Sequence, residues 1–231
     1  MKDKILMGLL ILVWLVFIAD IIWEGTEGKW IIQETEKVGE LEVVQYTNQV
    51  IIVAVSDECT SLCMYEREME SWQLVFETEA IIGKNGLKKT KEGDGKTPVG
   101  VFCFVKAFGI LENPGANMDY TKVDETHYWV DDSNSKYYNQ FIAIDEVEAD
   151  WKTAEHLLEY GESYHYVLAT SFNAERIQGA GSAVFLHCMS QNADATAGCV
   201  AIPEVYMREL IKRVEPQCVL IIDEAERILL Y

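Results

Sequence analysis

Hydrophobic and polar positions divide the chain into an apolar N-terminus, a short mixed segment and a long region of short apolar runs. The first run, Ile5 to Ala19, contains no charged residue and resumes after Asp20 with residues 21–23. As a helix, residues 5–23 would extend about 28 Å at about 1.5 Å per residue, close to the hydrocarbon thickness of about 30 Å. This pattern predicts a membrane anchor at residues 1–23.

The charges that flank this segment predict its orientation. Lys2 and Lys4 precede it and acidic residues follow it, which places the N-terminus in the cytoplasm and the rest of the chain outside the cell. A cleaved signal peptide is the alternative, but cutting after Ala19 would put Phe17 at position −3, where a small residue is needed. A buried core helix fits less well, because the run is apolar on every face. We therefore expect a single-pass protein of the cell membrane.

The remainder of the chain predicts a tether followed by one mainly β domain. Residues 24–46 are mixed and acidic with little periodic pattern, which is typical of a tether. From residue 47 to 231, short apolar runs alternate with turn signals. The predicted strands are Val50–Val55, Leu62–Glu66, Trp72–Ile82, Val99–Ala107 and Val219–Ile222. Apolar spacing predicts a helix over Ala149–Tyr160, and a proline at the first turn predicts another over Pro203–Val214.

The composition of the chain argues against nucleic acid as a partner and against a disulfide-stabilised fold. With 231 residues and 49% hydrophobic content, the chain can bury one sizeable core beside an appendage. Its 19 basic and 38 acidic residues give a net charge of −19, which opposes binding to nucleic acid. The six cysteines show no regular spacing of a disulfide scaffold. Cys59 and Cys63 are expected to be unpaired, because side chains four apart diverge along a strand.

One cysteine and one histidine are placed so that they can act as a nucleophile and its base. An apolar strand predicted from Gly181 ends at His187, and a polar loop then leads to a turn that presents Cys199, 12 residues further on. A thiol is nucleophilic as the thiolate, and a nearby imidazole can take its proton. Gly198 precedes the cysteine, where backbone must approach substrate or adopt positive φ.

A zinc site at these residues is the alternative chemistry. His187, Cys188 and Cys199 lack the paired ligand spacing of zinc proteins, and adjacent strand residues rarely converge on one ion. Alternation along the strand also directs the Cys188 side chain to the face opposite His187, into the core. We therefore expect no metal.

These patterns resemble the catalytic domain of bacterial L,D-transpeptidases. The apolar strand ending in His187, followed by a loop and then Thr-Ala-Gly-Cys-Val at residues 196–200, is similar to the family's catalytic signature. Asp-Gly-Lys-Thr-Pro at residues 94–98 resembles the entry to the family's domain. The resemblance extends from about Val50 to the C-terminus. It implies a mainly β, sandwich-like or barrel-like domain with a few short helices and no cofactor.

The resemblance also implies a reaction and a set of roles. Cys199 would attack a peptidoglycan stem tetrapeptide, release D-alanine and form a thioester, which an amine of a neighbouring stem would resolve into a cross-link. His187 would be the general base and acid, and the backbone carbonyl of Cys188 would fix its tautomer. The Gly198 backbone N–H is a candidate donor to the oxyanion.

Four further residues are candidates for substrate binding. Trp129, Tyr138 and Asn139 lie in an aromatic and polar insert, and Thr196 lies in the motif. Aromatic and amide groups suit a sugar or peptide groove, and comparable segments of the family flank the active site. The alternative is an ordinary surface loop whose aromatic side chains pack inward.

Two departures from the family pattern leave other functions open. Many members carry histidine where this chain has Ala197, and arginine where it has Ala201. An L,D-carboxypeptidase that uses water as acceptor, or a non-catalytic wall-binding module with a vestigial site, are the alternatives. In each case the expected partners are peptidoglycan stem peptides and, through residues 1–23, the membrane. The domain is then expected to face the cell wall and to serve cell-wall organisation and cell shape.

Overall fold

The computed structural model describes residues 35–231, so the predicted membrane anchor lies outside the described residues. None of the helices within residues 35–231 is long and apolar enough to cross a membrane. The described strands are β1 (Gln49–Val55), β2 (Thr60–Glu68), β3 (Ser71–Glu79), β4 (Gly100–Gly109), β5 (Tyr120–Lys122), β6 (His127–Val130), β7 (Gln140–Ala143), β8 (Glu155–His156), β9 (Val167–Thr170), β10 (Phe185–Cys188), β11 (Val200–Ile202) and β12 (Val219–Glu224). The α-helices are α1 (Thr35–Val38) and α2 (Glu204–Arg213), and 3₁₀-helices occupy Glu42–Tyr46, Leu157–Tyr164 and Ala225–Leu230.

Most of the strands form one large mixed sheet. Its order is β11-β10-β9-β4-β12-β1-β2-β3, with β5 beside β4, and a small sheet has the order β7-β6-β8. β1 lies between parallel β12 and antiparallel β2. The run from Val50 to Val53 is buried on both faces, which explains why it reads as continuously apolar rather than alternating. The predicted mainly β fold is confirmed.

The two edges of the large sheet meet just beyond β3. The backbone N–H groups of Ile81 and Ala201 each donate to the carbonyl of the other at 2.9 Å. The Thr196 N–H donates to the Ile82 carbonyl at 2.9 Å, and the Lys84 N–H donates to the Thr196 carbonyl at 3.0 Å. This pairing gives the sheet a barrel-like closure, and it fixes the turn that precedes β11 from the side opposite β10.

The described part of the predicted tether packs against the domain. Val38, Leu41 and Val44 are only 0–2% exposed and belong to a cluster that includes Tyr65 and Trp72. Val38 ends α1, Leu41 lies in extended backbone just before the following 3₁₀-helix, and Val44 lies within that helix, so packing against the domain rather than one continuous helix brings them together. The prediction of a tether is therefore wrong for residues 38–44.

Of the two predicted helices, one is observed and one is not. Pro203 directly precedes α2, as predicted. The predicted helix Ala149–Tyr160 is wrong, because Glu155 pairs with Trp129 of β6 as part of β8, and a 3₁₀-helix follows. Hydrogen bonding to a neighbouring strand outweighs the helical spacing of the apolar residues, which is a weak local preference.

Candidate active site

Strand pairing brings the predicted nucleophile and base to one cavity. β10 and β11 are parallel neighbours, with Leu186 opposite Val200 and His187 opposite Ala201. Cys199 directly precedes β11, in register with Phe185 and two positions before His187, so alternation along the strands puts both side chains on the same face. Both residues line a cavity of about 330 Å³. The 12-residue separation in sequence is therefore closed by one parallel strand pair.

The Cys199 thiol is held by backbone groups. Its S–H donates to the Ala183 carbonyl at 3.1 Å, and its sulfur accepts the Phe185 N–H at 3.3 Å. Burial, followed by the negative charge of Glu155, raises the pKa of the thiol to about 12. The thiol is therefore protonated at neutral pH and needs a base to become a nucleophile.

His187 is oriented as such a base would be. Its ring is buried, and Nδ1 lies 2.8 Å from the Cys188 carbonyl. Because a carbonyl only accepts, Nδ1 carries a proton and Nε2 has the lone pair in the neutral ring. Burial lowers the pKa of His187 below its usual value, although hydrogen bonding to the carbonyls of Cys188 and Ser163 opposes that shift. The imidazole is therefore neutral at neutral pH.

Thiol and imidazole are not hydrogen-bonded to each other in this conformation. Among residues 35–231, the hydrogen-bond partners of Cys199 Sγ are the Ala183 carbonyl and the Phe185 N–H, and His187 Nδ1 donates to the Cys188 carbonyl. Such contacts often form only when substrate is bound. Rotation of the Cys199 side chain between staggered rotamers is the smallest change that could redirect the thiol.

The two sequence motifs meet at the carbonyl of Cys199. Thr97, from the Asp-Gly-Lys-Thr-Pro stretch, donates its hydroxyl to this carbonyl at 3.2 Å and accepts the Gly83 N–H at 2.8 Å. Thr196 donates its hydroxyl to the same carbonyl at 2.7 Å. The nucleophile's backbone is thus fixed by both motifs.

Asp94 organises the loop that carries the first of these motifs. It accepts an ion-pair contact from Lys89 at 3.0 Å and backbone N–H bonds from Thr90, Lys91 and Lys96. Burial alone would raise the pKa of Asp94, but these donors hold it well below its usual range. The loop is therefore anchored around a carboxylate that stays ionised.

Gly198 does not offer the free donor that was predicted. Its N–H donates to the Thr196 hydroxyl at 3.0 Å, so it is occupied within the turn. Its φ is +150°, and a Cβ there would lie 2.8 Å from the Lys96 carbonyl. Glycine is required here by backbone conformation and by close approach to the neighbouring loop.

We expect Gly198→Ala to lower the free energy of unfolding by about 3 kcal/mol, because both φ strain and a backbone clash are introduced. Gly86→Ala is the matched control, since Gly86 has a φ of +75° and nothing within 4 Å of an added Cβ. That control carries conformational strain alone and should lose about 1 kcal/mol. Denaturant unfolding of both variants measures the difference, and equal losses would contradict the proposed clash.

Three of the four predicted substrate-binding side chains face inward, and that prediction is corrected. Trp129 and Tyr138 are 4% and 2% exposed. Trp129 Nε1 donates to Asn139 Oδ1 at 3.0 Å, Asn139 Oδ1 accepts the Ala183 N–H at 3.2 Å, and the Tyr138 hydroxyl donates to Glu92 at 2.5 Å. Ala183 has a φ of +52°, a conformation that needs such support. These residues therefore hold the loop whose Ala183 carbonyl contacts Cys199.

The cavity is lined by groups that the sequence did not single out. Thr196, the fourth predicted binding residue, is among the lining residues, as are Ala197 and Ala201. The unanticipated polar members include Lys89, Glu92, Asp131, Glu155, Tyr160, Ser163 and Tyr164. They come from segments far apart in the chain, so no local pattern could have identified them.

Solved structures with a similar chain path include Bd1075 of Bdellovibrio bacteriovorus, at 18% identity and a TM-score of 0.42 over 80% of this chain and 50% of that one. The helical cell shape determining protein Pgp2 of Campylobacter jejuni matches at 16% identity and a TM-score of 0.43, over 81% and 55% of the two chains. An L,D-transpeptidase of Enterococcus faecium matches at 13% identity and 0.39, over 77% and 50%. This chain spans about half the length of these proteins.

No curated protein sequence matches the chain. A family model does: the L,D-transpeptidase catalytic domain, named YkuD, matches residues 48–222. The match includes both sequence motifs and every strand from β1 to β11. Since it extends over well more than half of the sequence, the chain belongs to the L,D-transpeptidase catalytic domain family.

Proposed function

We propose that this protein is a peptidoglycan L,D-transpeptidase that forms cross-links through a Cys199 thioester. One observation carries the proposal: Cys199 and a His187 whose Nδ1 is bonded to the Cys188 carbonyl line the same cavity. That arrangement leaves Nε2 as the basic nitrogen. Membership of the family supplies the reaction class, and the paired residues supply the nucleophile and base that it needs.

The first half-reaction forms the thioester and releases D-alanine. As Cys199 Sγ attacks the carbonyl carbon of the bond to D-alanine, its proton passes to His187 Nε2. The carbonyls of Cys188 and Ser163 stabilise the imidazolium that results. The C–N bond then breaks, and the leaving nitrogen takes the proton from His187. Each such general acid or base step typically contributes about 10² to 10⁴ in rate.

The oxyanion of this step needs donors other than the Gly198 N–H, which is occupied by Thr196. The Cys199 N–H is the candidate donor from this turn. The Lys89 ammonium lies 3.5 Å from where a Cβ of Gly198 would be, so it adds positive potential at the same place. Its charge also lowers the pKa of Cys199, against the larger effects that raise it.

The second half-reaction transfers the acyl group to an amine of another stem peptide. His187 takes a proton from the attacking amine, and Cys199 leaves as the thiol. If water attacks instead, the product is a shortened stem and the enzyme is an L,D-carboxypeptidase. As further parts of the proposal, residues 1–23 anchor the chain in the cell membrane and the domain faces the wall, where it contributes to cell-wall organisation and shape.

The test is to incubate the full chain with a disaccharide-tetrapeptide and to identify the products by mass spectrometry, beside a Cys199→Ala protein. A cross-linked dimer lacking one D-alanine supports the transpeptidase. Tripeptide alone, dependent on Cys199, identifies a carboxypeptidase. Absence of any Cys199-dependent product would contradict the catalytic proposal and favour a wall-binding module. Recovery of the uncut chain in the membrane fraction tests the anchor.

A further inference from the structure

The charges that line the catalytic cavity are unequal. Three carboxylates, Glu92, Asp131 and Glu155, face one ammonium group, Lys89. That ammonium is already paired with Asp94, and the two side chains are only 4% and 7% exposed. The remaining lining therefore has an excess of negative charge.

One of the three carboxylates has a structural task. Glu92 Oε2 accepts hydrogen bonds from the hydroxyl groups of Tyr138 at 2.5 Å and Ser182 at 3.0 Å. These bonds fix the loop that leads to Ala183. Glu92 is therefore engaged by the protein itself and is not available to a ligand in the same way as the other two.

Asp131 and Glu155 have no cationic partner among residues 35–231. Glu155 accepts a hydrogen bond from the Tyr164 hydroxyl at 2.7 Å. The Oδ1 atom of Asp131 is buried and, within this part of the chain, has no hydrogen-bond partner. Buried acceptors without a donor are rare, since desolvation is uncompensated. Asp131 as a whole is only partly buried and lines the cavity, so rotation of its carboxylate would present this acceptor to a ligand that brings a donor.

The backbone places the two carboxylates on the same side of the small sheet. Glu155 of β8 lies opposite Trp129 of β6, and Asp131 is two residues beyond Trp129. Side chains two apart on an extended chain share a face, and directly paired residues do so as well. One group that donates several hydrogen bonds could thus reach both carboxylates.

The chemistry of this pair fits a cation close to the thiol. Burial, the largest effect, raises the pKa of Glu155 to about 7, and the charge of Asp131 contributes in the same direction. Glu155 is also near enough to Cys199 that its negative charge raises the pKa of the thiol. A primary ammonium group supplies three N–H donors and a positive charge, so it would satisfy Asp131, neutralise Glu155 and lower the barrier to thiolate formation.

We propose that Glu155 and Asp131 form a specificity-determining subsite for the primary ammonium of a diaminoacyl residue in the stem peptide. The inference rests on the proposed function, which supplies a substrate with such an amine. The amine belongs either to the stem that acylates Cys199 or to the stem that accepts the acyl group. If the amine belongs to the stem that acylates Cys199, the carboxylates gain their counter-charge only when that substrate is bound, which couples its recognition to activation of the thiol. If it belongs to the acceptor, it binds after the thioester has formed, and the subsite selects the acceptor alone.

The donor arm of the test compares two tetrapeptides, one with a free amine on its diaminoacyl residue and one acetylated at that amine. Acylation of Cys199 in the full chain is followed by intact mass and expressed as kcat/KM. The wild type should prefer the free amine about 10- to 100-fold, as expected for a buried hydrogen bond to a charged group. Glu155→Gln should reduce this preference to about threefold or less, through loss of activity on the free amine alone.

The acceptor arm starts from the acyl-enzyme and measures dimer formation against hydrolysis with a free-amine acceptor. If the subsite holds the acceptor, Glu155→Gln lowers this ratio, while acylation of Cys199 by the free-amine and the acetylated tetrapeptide changes by the same factor. Glu159→Gln is the matched control, since its side chain is 75% exposed and pairs with His156, and both arms should be unaffected. Asp131→Asn repeats the test if Glu155→Gln does not fold.

The outcomes separate the two proposals. If Glu155→Gln lowers acylation by both tetrapeptides equally and leaves the acceptor ratio unchanged, its role is structural and the subsite is overturned, while the transpeptidase stands. If the wild type forms no Cys199 adduct with either tetrapeptide, the proposed function itself fails. A preserved preference for the free amine together with an unchanged acceptor ratio, in both Glu155→Gln and Asp131→Asn, would also overturn the subsite.

Discussion

Replacing Cys199 with alanine is expected to abolish acyl-enzyme formation, by about 10⁴-fold or more, because the cavity loses its nucleophile and His187 has no thiol to deprotonate. The fold should be retained. The change removes one sulfur atom and two weak contacts with backbone groups, so a loss of only about 1 kcal/mol in unfolding free energy is expected. Intact mass after incubation with a stem tetrapeptide measures the adduct.

Two other cysteines provide controls for this prediction. Cys188→Ala should keep most activity, because the Cys188 thiol contacts the Tyr166 carbonyl, and only the Cys188 backbone carbonyl reaches His187. Cys103 is exposed on β4, so Cys103→Ala should retain full activity. An adduct that persists in Cys199→Ala, or that disappears in Cys103→Ala, would show that another thiol is acylated.

Local patterns in the sequence were sufficient for most strands and for the helix after Pro203. Apolar runs in β1, β2 and β12 mark chain buried in a sheet, and such runs are informative because burial on both faces leaves few polar positions. The helix prediction for residues 149–160 is wrong because local spacing was not the deciding factor there. Its apolar spacing is compatible with a helix, and only the distant β6 strand decides that Glu155 and His156 extend beside it.

The candidate site shows the same division between local and long-range information. The motif residues His187 and Cys199 could be identified from their order and spacing. The orientation of Tyr138 and Asn139 could not, because their hydrogen bonds reach Glu92 and Ala183, more than 40 residues away in the chain, and Trp129 in turn bonds to Asn139. A polar and aromatic loop has the same composition whether it binds a substrate or supports another loop.

Closure of the sheet adds a constraint that no sequence pattern reveals. The pairing of Ile81 with Ala201 and of Gly83 with Thr196 joins the chain after β3 to the catalytic turn. Thr97 then bonds to the carbonyl of Cys199 from the same side. The Asp-Gly-Lys-Thr-Pro stretch thus has a physical role in the site, since it builds the wall against which Gly198 must fit.

The resting site is electrostatically neutral at the reacting pair. Burial raises the pKa of Cys199 and lowers that of His187, so at neutral pH both groups are uncharged. A neutral thiol is less prone to oxidation than a thiolate, since reactivity follows thiolate character. The thiol proton must therefore be transferred when substrate enters, and this transfer requires the basic nitrogen of His187.

Replacing His187 with alanine is accordingly expected to slow Cys199 acylation by about 10²- to 10⁴-fold, the usual contribution of a general base. In the wild type, the rate should fall only as the pH drops below the lowered pKa of His187, under its usual value of 6.5, because the neutral ring is the active form. Single-turnover acylation measured across pH gives this fall in rate on the acidic side. The amine-acetylated tetrapeptide is used as substrate, so that Glu155 does not contribute through ammonium binding. His165→Ala is the control, since His165 pairs with Glu204 of α2 at 2.7 Å. If the acidic fall in rate has its midpoint at or above pH 6.5, or if the rate is unchanged in His187→Ala, another group takes the thiol proton.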